Sequence, residues 1–398
     1  MLRSLVGSEM CIRDRLVTNE REAVLTQNKP AEIGMPIQDI DTPSLIIDLD
    51  SFEHNLNLMS KSVASLGVAH RPHAKTHKSP VIARKQIAVG AVGQCCQKVS
   101  EAEILVAGGV DDVLVSNQVV GQQKLERLAG LARHAKIGVC VDNLDNIGAI
   151  NAAASKFGSQ IDVLVEIDIG AGRCGVVPGA PAVKLAEAIE SMSHLKFSGL
   201  QAYQGRAQHI RGFSERKVAI EKASEYVLKT IKLLGGAGID CPRVTGGGTG
   251  TYQFEAGTGV WDEIQAGSYC FMDVDYGLNL TEDGNYFDTF QNSLFVLATV
   301  MSIPTKERAV LDAGHKASAI DSGLPKVMDL PDVEFVSASD EHGTLTLGRN
   351  APKLSLGQKI RLIPGHCDPT VNLHDWYVGV RNNIVESIWP VAARGAAF

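Results

Sequence analysis

The chain lacks any long apolar run, and no stretch approaches the roughly 18–20 consecutive apolar residues that a membrane-spanning helix needs. It also lacks an excess of basic residues, because 38 lysines and arginines stand against 45 aspartates and glutamates, for a net charge of −7. This balance argues against a general nucleic-acid binder. Aromatic residues make up only 5% of the 398 residues, whereas the 39 glycines suit many tight strand-to-helix turns or a phosphate site. We therefore expect a globular protein of two domains, or one large barrel plus a smaller domain, with no nucleic-acid or membrane partner.

The cysteines form no CxxC pair either. A chain of this length can bury a core without disulfides, and several of its cysteines fall in apolar, strand-like runs. We interpret most of them as small buried thiols in a reducing compartment, which favours the cytoplasm. The eight cysteines are Cys11, Cys95, Cys96, Cys140, Cys174, Cys241, Cys270 and Cys367.

The first residues show no helical or strand periodicity. Ser4 to Arg15 read SLVGSEMCIRDR, which resembles a translated sequencing adapter; a disordered arm and a targeting peptide are the alternatives. The apolar core of about 7–15 residues that a secretory signal requires is missing. We treat residues 1–35 as a disordered arm or an adapter-derived artefact.

Residues 70–285 alternate regularly between strand-like and helical patterns. The predicted strands are His70–Thr76, Gln94–Val99, Asp112–Ser116, Lys136–Val141, Asp162–Asp168, Phe197–Tyr203, Arg243–Gly246 and Glu263–Ser268. The predicted helices between them include Glu101–Ala107, Asp145–Phe157, Ala182–Ser191 and Ser214–Leu234. About eight such units predict an α/β fold of the (β/α)8 barrel type. A doubly wound open sheet is the alternative, but no dinucleotide fingerprint follows the first strand.

Two further segments flank this barrel. In residues 36–69, Ser44–Asp50 predicts a strand and Ser51–Leu66 a helix that Asp50 or Ser51 would cap. Residues 286–398 predict a C-terminal β-domain, with a boundary between residues 283 and 292. Its predicted strands are Ser293–Ser302, Arg308–Leu311, Val333–Ser337, Thr344–Leu347, Lys359–Ile363 and Trp376–Val380.

Lys75 stands among basic and imidazole side chains in RPHAKTHK, where a strand-like run gives way to a helical segment. Partial burial or crowding by other cations lowers the pKa of a lysine. A neutral lysine amine can form a Schiff base with a carbonyl cofactor. Lys75 is therefore our candidate for a lysine that carries an aldehyde, and a solvated basic turn is the alternative.

Two glycine-containing loops follow the seventh and eighth predicted strands. They read GGGTGT from Gly246 and AGSY from Ala266. Consecutive glycines let backbone N–H groups approach an anion, and a following helix start adds its dipole. Because the loops after strands seven and eight of such barrels commonly hold a phosphate, we expect a phosphate site here. The alternative is a flexible glycine turn.

Arg173 follows the fifth predicted strand. Its guanidinium could reach the ring nitrogen of a bound pyridine or a substrate carboxylate. The alternative is an ion pair with Glu166 or Asp168.

Tyr203, Gln204 and His209 lie at or after the end of the sixth predicted strand. His209 is a candidate general base because the unperturbed pKa of histidine lies near working pH. A structural role is the alternative, since a lone histidine in a loop is more often structural. Tyr203 could contact a cofactor or simply pack.

His366 and Asp368 lie two residues apart in PGHCDPT. In an extended segment they would face one side and Cys367 the other. One imidazole and one carboxylate can hold a divalent metal, with waters or substrate completing the shell. A capped turn is the alternative.

Together these residues resemble the D-threonine aldolase family, a branch of the fold-type III, alanine-racemase-like enzymes that use pyridoxal phosphate (PLP) and a divalent metal. The resemblance runs from Asp41 to the C-terminus and rests on RPHAKTHK, EIDIGAGRCG, GGGTGT and PGHCDPTVNLHD in combination. It implies a barrel followed by a β-domain and a homodimer in which one subunit's β-domain completes the other's site. The first fifteen residues match nothing in the family.

The resemblance also implies a role for individual residues. Lys75 looks like the Schiff-base lysine, Arg173 like the partner of the pyridine nitrogen and His209 like the base. His366 and Asp368 look like the metal ligands. Residues that would line the cofactor or lie near its phosphate are Gln94, Tyr203, Gly247, Gly248, Thr249, Ser268 and Tyr269.

The implied reaction is retro-aldol cleavage of a small substrate, D-threonine or another D-3-hydroxy amino acid, to glycine and an aldehyde. A D-serine or D-3-hydroxyaspartate dehydratase of the same fold is the alternative. The D-serine relatives carry a His-x-Cys metal pair, whereas the carboxylate of Asp368 favours Mn²⁺ or Mg²⁺ over Zn²⁺. A non-catalytic PLP-carrier protein is a third hypothesis, against which the C-terminal β-domain counts.

Overall fold

A computed structural model describes residues 29–398 of the chain. Most of the predicted arm or adapter-derived artefact at residues 1–35 lies outside the described residues. Its last residues are described and pack on the C-terminal part of the chain, where the Gly34 N–H donates to the Val385 carbonyl at 2.8 Å. Across the described range, no helix combines the length and the apolar character needed to cross a membrane.

The first strand, β1 (Ser44–Asp48), leads directly into helix α1 (Leu49–Ser65). The Asp48 carboxylate accepts a hydrogen bond from the Ser51 N–H at 2.9 Å and caps this helix. The expected cap at Asp50 or Ser51 is therefore wrong, because the helix begins as soon as the strand ends. Its buried side carries the predicted residues Phe52, Leu56, Met59 and Val63.

Within the described range, eight parallel strands form a barrel. They are β2 (Ala69–His70), β3 (Gln94–Cys96), β4 (Asp112–Gln118), β5 (Lys136–Val141), β6 (Ile161–Glu166), β7 (Leu195–Ala202), β8 (Val244–Gly246) and β9 (Glu263–Ile264). The accompanying helices are α2 (Pro80–Ala88), α3 (Val99–Ala107), α4 (Gln122–Leu131), α5 (Leu144–Phe157), α6 (Ala180–Glu190), α7 (Phe213–Gly236) and α8 (Tyr252–Gly257).

The strands pair in the order β2-β9-β8-β7-β6-β5-β4-β3. The ring closes just after β2, where the Cys95 N–H donates to the Pro72 carbonyl at 2.9 Å and the Ala74 N–H donates to the Cys95 carbonyl at 2.7 Å. The (β/α)8 barrel is therefore confirmed, and the open-sheet alternative is not.

Side chains fill the interior of the barrel and close one of its ends. A separate buried cluster consists of Cys95, Leu114, Cys140 and Leu164, on four adjacent strands. Below it, Arg71 pairs with Asp112 at 2.6 Å and with Glu263 at 3.0 Å. Asp112 and Glu263 begin their strands, so this ion pair network closes the amino-terminal end. The loops at the carboxyl ends of the strands are left to form the site.

A second, mixed sheet contains β1 and the strands that follow the short helix α9 (Val274–Gly277). Its later elements are β10 (Leu294–Thr305), β11 (Arg308–Leu311), β12 (Lys326–Val327), β13 (Val333–Ala338), β14 (Gly343–Leu347), β15 (Lys359–Ile363), helix α10 (Cys367–Val371), β16 (Trp376–Arg381) and β17 (Ile384–Pro390). The main path runs β13-β14-β11-β10-β1-β16-β17, and β15 pairs with β10 and β12. The expected C-terminal β-domain is confirmed, although β1, β12 and β17 were not predicted to belong to it. The boundaries at residues 36, 70 and 286 stay predictions.

Candidate active site

One cavity at the carboxyl ends of the barrel strands gathers most of the predicted site residues. Those that line it are Lys75, Arg173, Tyr203, His209, Gly247, Gly248, Thr249, Ser268, His366 and Asp368. They come from the loops after five barrel strands and from the segment around α10, which follows the second sheet's strand β15. The barrel and the second sheet therefore build this cavity together.

Lys75 lies in the turn that follows β2, and its ammonium Nζ is 3.4 Å from Asp368 Oδ2. This carboxylate raises the pKa of Lys75 above its ordinary value. Our expectation that crowding by cations lowers the pKa is therefore wrong for this geometry, because the nearest charge is negative. Burial alone would raise the pKa of Asp368, but Lys75 and His366 lower it to about 2.

The two glycine loops meet at one wall of the cavity and form a cradle. An added Cβ at Gly248 would lie 2.5 Å from Gln208 Oε1, and one at Gly267 would lie 2.7 Å from the His73 carbonyl oxygen. Within residues 29–398, the backbone N–H groups of Gly248 and Thr249 donate to no protein acceptor. This wall therefore offers close backbone approach and free donors, which suit a phosphate.

Arg173 reaches the cavity from the loop after β6. Its guanidinium carbon is 5.7 Å from the centre of the Tyr203 ring, and Nη2 is 4.0 Å from Glu166 Oε1. Asp168 is engaged elsewhere, because its Oδ1 accepts from the Gly170 and Gly172 N–H groups at 2.9 and 3.0 Å. Arg173 is therefore oriented by stacking and remains beside the cavity, with only a long contact to Glu166.

His209 ends a short 3₁₀ turn, Gly205–His209, that follows β7. Its Nδ1 lies 2.7 Å from Asp275 Oδ2, and its ring stacks on Tyr276 with 6.2 Å between centres. Burial would raise the pKa of Asp275, but the hydrogen bonds from His209 and Arg211 outweigh it and lower the pKa to about 2. His209 thus has an ionised partner and a second ring nitrogen free to act.

His366 and Asp368 line the same cavity, but the expected extended segment is wrong. His366 is extended and precedes α10, whereas Asp368 already belongs to the first turn of that helix. The intervening Cys367 is fully buried. His366 and Asp368 therefore face the cavity and Cys367 faces away from it, as predicted, but the start of a helix produces this arrangement instead of a strand. His366 Nδ1 bonds Asp321 Oδ2 at 2.9 Å.

Two family models match the chain: one described as the alanine racemase N-terminal domain, at residues 47–275, and one described as a putative serine dehydratase domain, at residues 293–380. The chain is 48% identical to a D-threonine aldolase from an Arthrobacter species, over 92% of this chain and 96% of that protein. It is 46% identical to a 3-hydroxy-D-aspartate aldolase from Paracoccus denitrificans, over 93% and 96% respectively. The crystal structure of D-threonine aldolase from Filomicrobium marinum matches with a TM-score of 0.90 and 49% identity, over 93% of this chain and all of that one.

The chain belongs to the D-threonine aldolase family. Both glycine loops and the lysine turn lie within the part matched by the alanine racemase model, and the His366–Asp368 pair lies within the part matched by the dehydratase model. The two matched parts therefore include both the barrel side of the cavity and the side formed by the segment around α10.

Two residues that the family resemblance assigned to the cofactor do not line the cavity. Gln94 faces α2, where its Nε2 donates to Gln86 Oε1 at 3.1 Å. Tyr269 is buried against His70, with 5.1 Å between ring centres, and its hydroxyl accepts from Gln86. We correct the expectation for Gln94: alternate residues of a strand face opposite sides, and Gln94 shares the outer side with Cys96. The expectation that Tyr269 lies near the phosphate stays a prediction, because its backbone N–H donates to Thr249 Oγ1 at 3.0 Å and so lies at the glycine loop.

The resemblance to the D-threonine aldolase family missed a polar cluster in the same cavity. His73 Nε2 lies 2.8 Å from Gln97 Nε2 and 3.1 Å from Ser116 Oγ, and all three side chains line the cavity. Burial, helped by the charge of Lys75, holds the pKa of His73 well below its ordinary value, so this cluster is uncharged. Polar side chains at the carboxyl ends of β3 and β4 were the available signal.

Proposed function

We propose that this protein cleaves D-threonine and other D-3-hydroxy amino acids to glycine and an aldehyde, with PLP and a divalent metal. The observation that carries the proposal is that an amine, an imidazole–carboxylate pair and a second imidazole face one cavity beside a glycine cradle. The similarity to D-threonine aldolase and to 3-hydroxy-D-aspartate aldolase supports the same reaction class.

The residues present fit PLP. Lys75 would hold its aldehyde, Arg173 would face the pyridine nitrogen, and the Gly248–Thr249 backbone with Ser268 would hold its phosphate. PLP supplies a ring that accepts the electron pair of the broken Cα–Cβ bond. Because an arginine side chain is cationic in proteins, Arg173 would stabilise that ring nitrogen without protonating it fully.

The residues present also fit a divalent metal as a two-ligand site completed by water or substrate. No group of three or more His, Cys, Asp or Glu side chains is arranged for a metal among residues 29–398. The Nδ1 of His366 is held by Asp321, which is the outer partner that metal-bound histidines generally have, and its Nε2 is left for the ion. Such a metal would make the substrate hydroxyl more acidic. A carboxylate in place of a thiolate favours Mn²⁺ or Mg²⁺ over Zn²⁺.

The chain's own residues then handle the proton. His209 takes the proton of the β-hydroxyl, the O–H electron pair forms the carbonyl of the departing aldehyde, and the Cα–Cβ bond breaks. The proton that His209 has taken is then available for Cα, and its transfer there gives glycine. After the product has left, Lys75 would again hold the aldehyde of the cofactor.

The match to a serine dehydratase model makes a D-serine or D-3-hydroxyaspartate dehydratase the rival. The metal pair argues against it, since the position that is cysteine in the D-serine relatives is Asp368 here. The neighbouring Cys367 cannot replace it, because its side chain is fully buried.

The deciding experiment supplies D-threonine and D-serine separately to the purified, PLP-loaded protein. We expect glycine plus acetaldehyde from D-threonine, and little 2-oxo acid or ammonia from D-serine. Lys75→Ala is expected to lose the absorbance band of lysine-bound PLP together with turnover. A colourless wild type, or 2-oxo acid as the main product, would overturn the proposal.

We also propose that turnover depends on the metal. Chelation that abolishes turnover while PLP stays bound would support the metal, whereas unaffected turnover would remove it from the reaction. We further propose a cytoplasmic homodimer, which light scattering of the purified protein and fractionation of the cells test.

A further inference from the structure

The His209–Asp275 pair is more constrained than a base alone requires. The Asp275 side chain is only 7% exposed, whereas the imidazole of His209, which lines the cavity, is 53% exposed. An ionised carboxylate can only accept a hydrogen bond, so the proton between them belongs to His209 Nδ1. The lone pair of a neutral His209 must then lie on Nε2.

Arg211 holds this carboxylate in place. One of its terminal nitrogens donates to Asp275 Oδ1, and the other donates to the Asp275 backbone carbonyl at 2.6 Å and to Asn279 Oδ1 at 2.9 Å. Asp275 Oδ2 is thereby left for His209. Asp275 contacts the imidazole directly, Arg211 pairs with the other oxygen of this carboxylate, and the ring of Tyr276 stacks on the imidazole.

The backbone of Asp275 also joins the other half of the site. Its N–H donates to the Gly365 carbonyl at 3.2 Å, and the Val274 N–H donates to the Pro364 carbonyl at 3.0 Å. Gly365 immediately precedes His366. One residue therefore holds the base through its side chain and the segment before the metal pair through its main chain.

We propose that Asp275 is the positioning residue that holds His209 in the Nδ1-protonated form and directs Nε2 into the cavity. It acts through His209, as the buried carboxylate of a catalytic triad acts through its histidine, and it stabilises the imidazolium that forms when His209 takes a proton. The role of His209 as base rests on the proposed function, but its protonated nitrogen can be tested independently.

The kinetic test is a double-mutant cycle with D-threonine as the substrate. Asp275→Ala is expected to lower kcat about 100-fold or more, with KM changed less than about threefold and the PLP absorbance retained. In a His209→Gln background the same change is expected to lower kcat no further, because the residue it acts through is gone. Full, additive losses in the double variant, or a wild-type kcat for Asp275→Ala, would overturn the proposal.

Asp340→Ala is the matched control, because Asp340 also bonds a histidine, His315, at 3.0 Å, but outside the cavity. It is expected to leave kcat unchanged. If Asp275→Ala loses the PLP absorbance, Asp275→Asn, which keeps the volume of the side chain, undergoes the same cycle with the same expected outcomes.

The second measurement does not use activity. In protein labelled with ¹⁵N-histidine and loaded with PLP and Mg²⁺, the His209 signals are assigned by their loss in His209→Gln. The proposal expects a protonated Nδ1 and an unprotonated Nε2 in the wild type, and loss of this preference in Asp275→Ala. A protonated Nε2 and an unprotonated Nδ1 in the wild type would overturn the proposal. If D-threonine is not cleaved, the proposed function fails, while the nitrogen spectrum still decides the role of Asp275.

Discussion

Asp273 accepts a hydrogen bond from the backbone N–H of Cys367, with 2.9 Å between the carboxylate oxygen and the nitrogen. Its other oxygen accepts from the Tyr276 N–H, also at 2.9 Å. One buried carboxylate therefore accepts hydrogen bonds from N–H groups in the first turns of two helices. These are α9, which carries Asp275, and α10, which carries Asp368. Because such N–H groups have no partner inside their own helices, Asp273 fixes the base side of the site against the metal side.

Replacing Asp273 by alanine is expected to lower the free energy of unfolding by about 2–3 kcal/mol, because two buried N–H groups lose their acceptor. Urea unfolding measures this loss. Asn143→Ala is the control, since Asn143 caps only α5 and lies outside the cavity. It should cost about 1 kcal/mol and leave kcat unchanged. An Asp273→Ala protein no less stable than Asn143→Ala would contradict the double cap.

Gly267→Ala is expected to weaken PLP binding at least about tenfold. The new Cβ would lie 2.7 Å from the His73 carbonyl oxygen and 2.8 Å from Thr76 Oγ1. A backbone oxygen cannot rotate away, so the turn that carries Lys75 must shift. Absorbance titration with PLP measures the affinity. Gly257→Ala is the control, because its Cβ would meet no atom within 4 Å. Equal affinities for the two variants would argue against a tight fit at Gly267.

The barrel could be predicted because its strands are short apolar runs separated by amphipathic helices. β5 has the predicted bounds, Lys136–Val141. The position of β1 in the second sheet could not be predicted, because no local pattern specifies pairing over such distances in the chain. Its two partner strands are about 250 and about 330 residues away, as in the Ser44–Leu297 and Leu45–Tyr377 pairs. The two-residue strand β12 is too short to show a period.

The position of Lys75 at the cavity could be predicted, because a sequence motif marks the turn that carries it. The position of Gln94 was predicted wrongly, because it depends on which side of its strand the side chain faces. Strand alternation separates Gln94 and Cys96, which face the helices, from Cys95 and Gln97, which face inward. That rule applied to β3 would have chosen Gln97 instead of Gln94. The His73–Gln97–Ser116 cluster depends on closure of the barrel and has no counterpart in linear spacing.

Asp321→Ala is expected to weaken the binding of Mn²⁺ by about 10–100-fold, because Asp321 orients His366 through Nδ1. Calorimetric titration of the PLP-loaded protein with Mn²⁺ measures this directly, and the metal concentration for half-maximal turnover should rise in parallel. Asp340→Ala is again the control, because Asp340 also bonds a histidine, His315, but outside the cavity. Unchanged affinity in Asp321→Ala would mean that the His366–Asp321 bond has no part in holding a metal.

Glu255 makes stability depend on pH. Its side chain is 1% exposed, Oε1 accepts from Thr251 Oγ1 at 2.7 Å, and Oε2 has no partner among the described residues. Burial raises its pKa from 4.5 to about 7. Between these values the folded protein keeps a proton that the unfolded chain has lost, so the contribution of Glu255 to stability falls as the pH rises from about 4.5 to 7 and then levels off.

Glu255→Gln removes this dependence while keeping an acceptor for Thr251. Its stability relative to the wild type should therefore increase between pH 5 and pH 8, by on the order of 2 kcal/mol. Urea unfolding of both proteins at the two pH values gives the difference, in which the other buried groups cancel because both proteins share them. Asp273, whose pKa burial raises to about 6, is one such group. A difference that is the same at both pH values would mean that Glu255 is already ionised in the folded protein at pH 5, and that an unseen partner compensates its burial.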